Sequence, residues 1–242
     1  MIAVVLDDLG MNRRATAALN KLKAPLTLAF LPYAGDLARQ TKSAAAAGHE
    51  LVLHLPMEPE GDEWPGPNAL LSTLPAETFR ARLQSNLDRF EGYVGINNHM
   101  GSLLTTSRER MAVVMTELRR RDLLFLDSRT SAKSVAADEA RRHGIPHAVR
   151  DVFIDHVIEL EAIEKRLAQV ERIAKLNGVA VAIGHPHAPT LQALRRWLPT
   201  LERRGFKLVP ISTVVAHKAC ADRLIDSVAA CGSYRVARSR IR

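Results

Sequence analysis

Aromatic residues make up only 5% of the 242-residue chain. No basic stretch is interleaved with them, so the stacking platforms that hold single-stranded nucleic acid are missing. Cysteine is scarce as well. Cys220 and Cys231 both lie near the C-terminus, and neither their spacing nor their neighbours suggest a metal site. They allow a disulfide in an oxidising compartment, or two unrelated thiols. No apolar run reaches the ~18 residues of a membrane span. The apolar start, residues 1–6, runs straight into Asp7-Asp8 and reads as a strand rather than a targeting segment. No Gly-rich phosphate loop follows it, because Asp8-Leu9-Gly10-Met11-Asn12 lacks the GxGxxG pattern. That argues against a dinucleotide site.

What is present is ordinary in bulk and unusual in placement. Hydrophobic residues are 47% and charged residues 25%, as in a soluble globular protein. The length suits one large α/β domain or two small ones, with a core that needs no disulfide. The formal net charge is +8, which could suit nucleic acid, a membrane surface or an anionic polymer. Much of the excess falls in short clusters such as Arg119-Arg120-Arg121 and Arg203-Arg204, on or beside helical patterns with acidic neighbours. These read as solvated helix faces. The rest is a basic tail with Arg235, Arg238, Arg240 and Arg242.

Short apolar runs alternate with helical patterns along the chain. Strands are predicted over residues 2–6, 26–31, 50–53, 93–97, 123–126, 151–154, 179–183 and 206–209. Helices are predicted over 12–22, 36–47, 75–90, 107–121, 136–143, 160–175 and 190–204. Ser107 is the expected N-cap of the fourth helix, and Gly48 and Gly205 are helix stops. Residues 57–74 are crowded with proline and glycine and read as an irregular loop. This alternation argues for a parallel sheet with helical crossovers, either a distorted (β/α) barrel or an open doubly wound sheet.

Polar residues collect where the strands end. Asp7 and Asp8 follow the first, His54 and then Glu58 the third, and Asn98 and His99 the fourth. Asp127 and Arg129 follow the fifth, Asp155 and His156 the sixth, and His185 and His187 the seventh. In a parallel sheet those ends share one face, where active sites form. Imidazoles beside carboxylates suit a divalent metal, zinc above all, with an adjoining base. Successive strand residues face opposite ways, so Asp7 and Asp8 cannot both point inward from an ideal strand, whereas a strand that ends at Leu6 lets the following loop aim both at the site. Each group also has a plain structural alternative. Asp7-Asp8 could cap a helix, His54 could be a satisfied core histidine, and Asp127 could be an N-cap. Asp155 could pair with Arg129 or Arg150, and Gly184-His185-Pro186-His187 could be an exposed turn. Their joint placement at strand ends favours the site. His143, His147 and His217 have no such setting and read as surface or structural, and His49 reads as local.

Six segments in order carry a resemblance. They are Val4-Val5-Leu6-Asp7-Asp8-Leu9-Gly10, His54-Leu55-Pro56-Met57-Glu58-Pro59, Gly95-Ile96-Asn97-Asn98-His99-Met100-Gly101-Ser102, Phe125-Leu126-Asp127-Ser128-Arg129-Thr130, Val152-Phe153-Ile154-Asp155-His156 and Ile183-Gly184-His185-Pro186-His187. Together, across residues 2–215, they resemble the divergent polysaccharide deacetylases. The resemblance implies a distorted (β/α) barrel of seven to eight mostly parallel strands over residues 1–215, with a basic extension over 216–242. It implies Asp7 as general base and Asp8 and His54 as ligands of a divalent metal, expected to be zinc. His185, with His187 as a second candidate, would be the late histidine that assists the leaving group. Glu58 stands where the family has the second histidine of a His-x-x-x-His pair, and His99 is the candidate replacement ligand. Glu58, Asn98, Asp127, Arg129 and Asp155 would support the site or touch substrate. The implied activity is removal of acetyl groups from an amino-sugar polymer or oligomer, with an envelope location. The alternatives are a hydrolase of another amide or ester, and a non-catalytic wall-binding protein on the same fold. Nucleic acid, which rests on net charge alone, is not an expected partner.

Overall fold

The computed structural model describes residues 1–221. The basic tail and Cys231 lie outside the described residues, as does the side chain of Cys220, so the cysteine pairing does too. Strands and helices alternate. The chain runs β1 Ile2–Leu9, α1 Arg13–Leu19, β2 Thr27–Phe30, α2 Leu37–Ala46, β3 Glu50–Met57, α3 Ala76–Leu87 and β4 Gly95–Met100. It continues with α4 Arg108–Arg120, β5 Leu124–Asp127, α5 Ala136–Arg142, β6 His147–Val149 and β7 Val152–Phe153. The last elements are α6 Leu160–Asn177, β8 Ala180–Gly184, α7 Ala188–Trp197 and α8 Ile211–Ala221.

All named strand pairings are parallel, in the order β6-β5-β4-β3-β2-β1-β8-β7. The two sheet edges, β6 and β7, are neighbours in sequence. Only Arg150 and Asp151 separate them, and such a link spans at most ~11 Å. The sheet must therefore curl until its edges nearly meet, which gives the distorted (β/α) barrel. The seam is bonded on both sides. Arg150 N donates to Asp127 O (3.0 Å) and Asp151 N to Val181 O (2.9 Å).

Strand alternation sorts the core into two layers. Ile2, Val4 and Leu6 face outward, into a cluster shared with the helices. Ala3 and Val5 face inward, with Val52, Leu126, Val181 and Ile183. Burial on both faces explains why these strands read as continuous apolar runs. Helix α8 plugs the end of the barrel where the strands start, through Ile211, Val214 and Val215. Its first turn is bonded to strand starts: Ile211 N donates to Thr27 Oγ1 (3.0 Å) and Ser212 N to Glu50 Oε1 (3.1 Å). The opposite end of the barrel stays open.

Three elements differ from expectation. Residues 206–209 form only an isolated bridge, Ile2 to Leu208, because α8 takes the place of a further crossover. The missing strand position is filled by β6, where His147, Ala148 and Val149 pair with β5. Three residues carry too little periodicity to be recognised in sequence. The helix expected over 190–204 stops at Trp197 and gives way to 3₁₀ turns at Leu198–Thr200, which contains Pro199, and Glu202–Arg204.

Candidate active site at the open end of the barrel

Strand β1 does not end at Leu6. Its register against β2 runs Leu6 opposite Leu28, then Leu9 opposite Phe30, so β1 holds one extra residue. Asp8 absorbs the irregularity with φ of +57°, a left-handed conformation that aspartate tolerates better than most residues. Asp7 keeps the inward direction of Ala3 and Val5. The left-handed turn brings Asp8 to the same cleft. The bulge thus solves the problem that alternation posed.

His54 shares the inward parity of Val52 on β3, and β3 pairs with β4 so that His54 stands opposite Asn97. His99 lies two residues on from Asn97, on the same face. Three ligand-type atoms converge: Asp8 Oδ1 lies 2.9 Å from His99 Nδ1 and 3.3 Å from His54 Nε2. The two imidazole nitrogens are 3.2 Å apart. Asp8 Oδ1 is buried, yet neither imidazole meets it with hydrogen-bond geometry. An orphaned carboxylate oxygen beside two imidazole nitrogens is a donor set that fits a divalent metal with a position left open.

Asp7, almost fully buried, sits beside this triad. Its Oδ2 is 3.6 Å from His54 Nε2, and its Oδ1 accepts from Asn97 Nδ2 (2.8 Å). Burial lifts the Asp7 carboxyl above its ordinary range, against the pull of His54 and His185. Burial would raise Asp8 too, but the adjoining His54 and His99 nitrogens outweigh it and hold Asp8 far below the usual carboxylate range. On the other side, His185 Nε2 is 3.7 Å from Asp8 Oδ2. Burial works against a charge on His185, but its bond to Asp155 and the nearby Asp7 carboxylate push its pKa up to about 9. Asp155 is committed to this task. Its Oδ1 meets His185 Nδ1 at 3.1 Å, and its Oδ2 accepts from His185 N (2.5 Å) and Thr190 Oγ1 (2.8 Å).

The structure brings Asp7, Asp8, His54, His99 and His185 together, and Asp155 stands directly behind His185. Asp155 pairs with neither Arg129 nor Arg150. His187 joins Asp155 and His185 in a second Asp/His cluster at the start of α7. Asn98 lines the cleft and holds its wall, accepting from Ser128 N (2.8 Å) and donating to Met100 O (2.8 Å). Arg129 lines the cleft as well. Glu58 and Asp127 are elsewhere. Glu58 points away from the triad to accept from Ser72 N (2.6 Å), so it pins the long loop instead of ligating. Asp127 follows the outward parity of Phe125 and braces its own loop through Arg129 N (2.7 Å) and Ser134 Oγ (2.8 Å).

Asn97 is a buried residue of the candidate site that the strand-end pattern did not single out. It is fully buried and links three groups: Asp7, Ser128 Oγ (3.1 Å) and His54 Nδ1 (2.8 Å). Its Oδ1 holds the proton on His54 Nδ1, which turns the Nε2 lone pair toward Asp8. The signal was present, because Asn97 and His99 are two apart on one strand. Arg150 and Phe153 also line the cleft, which has a volume of about 500 Å³.

The profile of the divergent polysaccharide deacetylases matches residues 4–215. The chain belongs to that family. An uncharacterized protein of Haemophilus influenzae is 30% identical over 200 residues, which is 83% of this chain and 71% of that protein. The crystal structure of an uncharacterized protein from Agrobacterium tumefaciens superposes with a TM-score of 0.85 at 30% identity, covering 88% of each chain. More distantly, a CE4-family pseudoenzyme from Bacillus anthracis shares the fold at 14% identity and a TM-score of 0.54, over 89% of this chain and 65% of its own. The family therefore fixes the fold, and the chemistry has to be argued from the cleft.

Proposed function

We propose that this family member is a metal-dependent hydrolase that removes acetyl groups from an amino-sugar polysaccharide or oligosaccharide. The observation that carries the reading is the convergence of Asp8, His54 and His99 between a buried Asp7 and an Asp155-held His185, all in one open cleft. Asp8, His54 and His99 would hold the metal, and one carboxylate oxygen with two imidazole nitrogens suits zinc. A divalent cation there supplies Lewis acidity that polarises a carbonyl and acidifies water. Asp7, raised by burial, takes a proton from the attacking water. His185, cationic through Asp155, gives a proton to the departing amine. Asn97 fixes the direction of both Asp7 and His54. Polymers of this chemistry belong to the cell envelope, and we place the protein there.

The test is elemental analysis of protein purified without a metal-affinity tag, beside His54→Ala, His99→Ala and Asp7→Asn. The expected result is about one zinc per chain, lost in both alanine variants and kept in Asp7→Asn, whose acetate release falls by at least ~10²-fold. Thermal unfolding shows that the variants are folded. Absence of metal, or metal indifferent to both alanine changes, would overturn the proposed centre. Acetate release that survives Asp7→Asn would overturn the role of Asp7.

A further inference from the structure

Two arginines on the cleft wall have no task in the chemistry above. Arg129 follows β5 and Arg150 follows β6, and both line the cleft with Asp7, Asp8 and His185. Among the described residues neither forms an ion pair, although both share the cleft lining with Asp7 and Asp8. The protein holds the Arg150 head in place and fixes the backbone turn that carries Arg129. Arg150 Nε donates to Ser128 O (2.6 Å), its Nη2 donates to Arg129 O (2.9 Å), and its head lies 5.3 Å over the Phe153 ring. Arg129 sits at φ of +51°, costly for a residue that is not glycine. That turn is fixed from both sides, by Asp127 accepting Arg129 N and by Asn98 accepting Ser128 N. Burial first, and the charge of Arg129 second, push Arg150 below the ordinary arginine value. Asp127, Asp7 and Asp151 pull the other way from beyond ion-pair distance. Two neighbouring arginines line the cleft without an ion-pair partner, Arg150 with its guanidinium held by backbone carbonyls and Arg129 with its backbone turn fixed, and they are arranged for an anion that arrives with the ligand.

We propose that Arg129 and Arg150 form an anion-recognising wall, and that the acetylated glycan taken by this cleft carries a carboxylate or phosphate substituent next to its acetamide. The inference rests on the hydrolase reading for the acetamide, but not for the anion. Guanidinium forks match either oxyanion in two-point contact, so the ligand distinguishes the two sources. The wall also sets the direction of the glycan, because the anion must lie on the β5–β6 side of the cleft.

The experiment measures binding by calorimetry, and acetate release, for three oligosaccharides of equal length. One is a neutral N-acetylglucosamine oligomer, one carries carboxylates and one carries phosphates. The wild-type protein, Arg129→Gln, Arg150→Lys and the double variant are compared, with thermal unfolding as the folding control. Arg150→Lys keeps the charge and loses the fork, so it separates geometry from net charge. The expected result is binding of one anionic oligomer about ten-fold or more tighter than the neutral one. That advantage shrinks in each single variant and disappears in the double one. Which oligomer gains identifies the anion. Equal binding of all three, no binding of any, or an advantage that survives the double variant would overturn the proposal. An anionic advantage without acetate release upholds the wall and removes the hydrolase reading. Acetate release without an anionic advantage does the reverse.

Discussion

At the residue scale, the site depends on groups that aim other groups. Asn97 is the clearest case, because one buried amide serves Asp7, His54 and Ser128. Asn97→Ala leaves the Asp7 and His54 bonds without partners and is expected to cost ~1–3 kcal/mol of stability. It should also weaken metal binding by ~10- to 100-fold, as loss of a ligand's orienting partner does. A chelator competition titration reads the affinity, and a denaturant titration reads the stability. Unchanged affinity would remove the orienting role. Gly184 is a second such residue. A Cβ there would lie 2.5 Å from Ile154 Cγ1 and 3.1 Å from Asp155 Oδ2. Gly184→Ala should therefore displace Asp155 and misdirect His185. The expected outcome is ~1–3 kcal/mol of destabilisation, together with a fall in kcat larger than any change in KM. A rise in KM with kcat unchanged would mean that the packing matters only for binding.

At the scale of elements, the loop between β3 and α3 contributes to the cleft wall through Glu63. It is anchored by Glu58 through Ser72 N, by Leu70 bridging Met57, and by Ser102 Oγ accepting Glu60 N. Between these anchors Glu63 lines the cleft, and the next residue, Trp64, is 75% exposed. An exposed indole beside a polar cleft offers a flat face to a sugar ring. Trp64→Ala should leave stability within ~0.5 kcal/mol, because little is buried there. KM for a long oligosaccharide should rise several-fold, with less change for a short one. A KM that does not depend on chain length would place Trp64 outside the binding path. The loop also shows how far sequence patterns reach. Its proline and glycine content marked it as irregular. Nothing in that content could say that Glu58 turns toward Ser72, because this depends on where residue 72 returns after the loop.

At the scale of the molecule, one end of the barrel is plugged and the other is open. The plug depends on Glu50, whose Oε1 accepts from Thr27 Oγ1 (3.1 Å) and from Ser212 N at the start of α8. Burial raises the Glu50 carboxyl above its ordinary value, despite the Ser212 and Thr27 bonds that favour its charge. A raised folded value means that the proton stabilises the fold. This stabilisation is complete below the unfolded value near 4.5 and is lost as pH rises through the folded value. Glu50→Gln keeps an acceptor and removes the buried charge, so it should be more stable than wild type at pH 8. The gain should vanish below about pH 4. Glu50→Ala, which leaves Ser212 N and Thr27 unpaired, should lose ~1–3 kcal/mol at neutral pH. Parallel denaturant titrations across pH read both. A Gln variant less stable than wild type at pH 8 would contradict the raised carboxyl.

Much of this molecule follows from local pattern. Apolar runs bounded by turn residues are strands wherever both faces are covered, and helical periodicity between them dictates parallel crossovers. The parallel sheet with helical crossovers, and the crowding of Asp and His at its strand ends, Asp7, Asp8, His54, His99 and His185 among them, were therefore legible in the chain, whereas the choice of a barrel over an open sheet came from the family resemblance. What the tertiary structure decided is which of the strand-end polar groups meet. Strand parity is a local property, but a bulge, a register and a loop's return point are set by residues far away. The extra residue in β1 is defined only by its pairing with β2, and it alone lets Asp7 and Asp8 enter the same cleft. The register of β3 on β4 puts Asn97 against His54 and brings His99 beside His54 and Asp8, while Glu58 turns toward Ser72. The seam at Arg150 and Asp151 brings the two sheet edges close to one another, and there Arg150 comes to face the same cleft as Asp7.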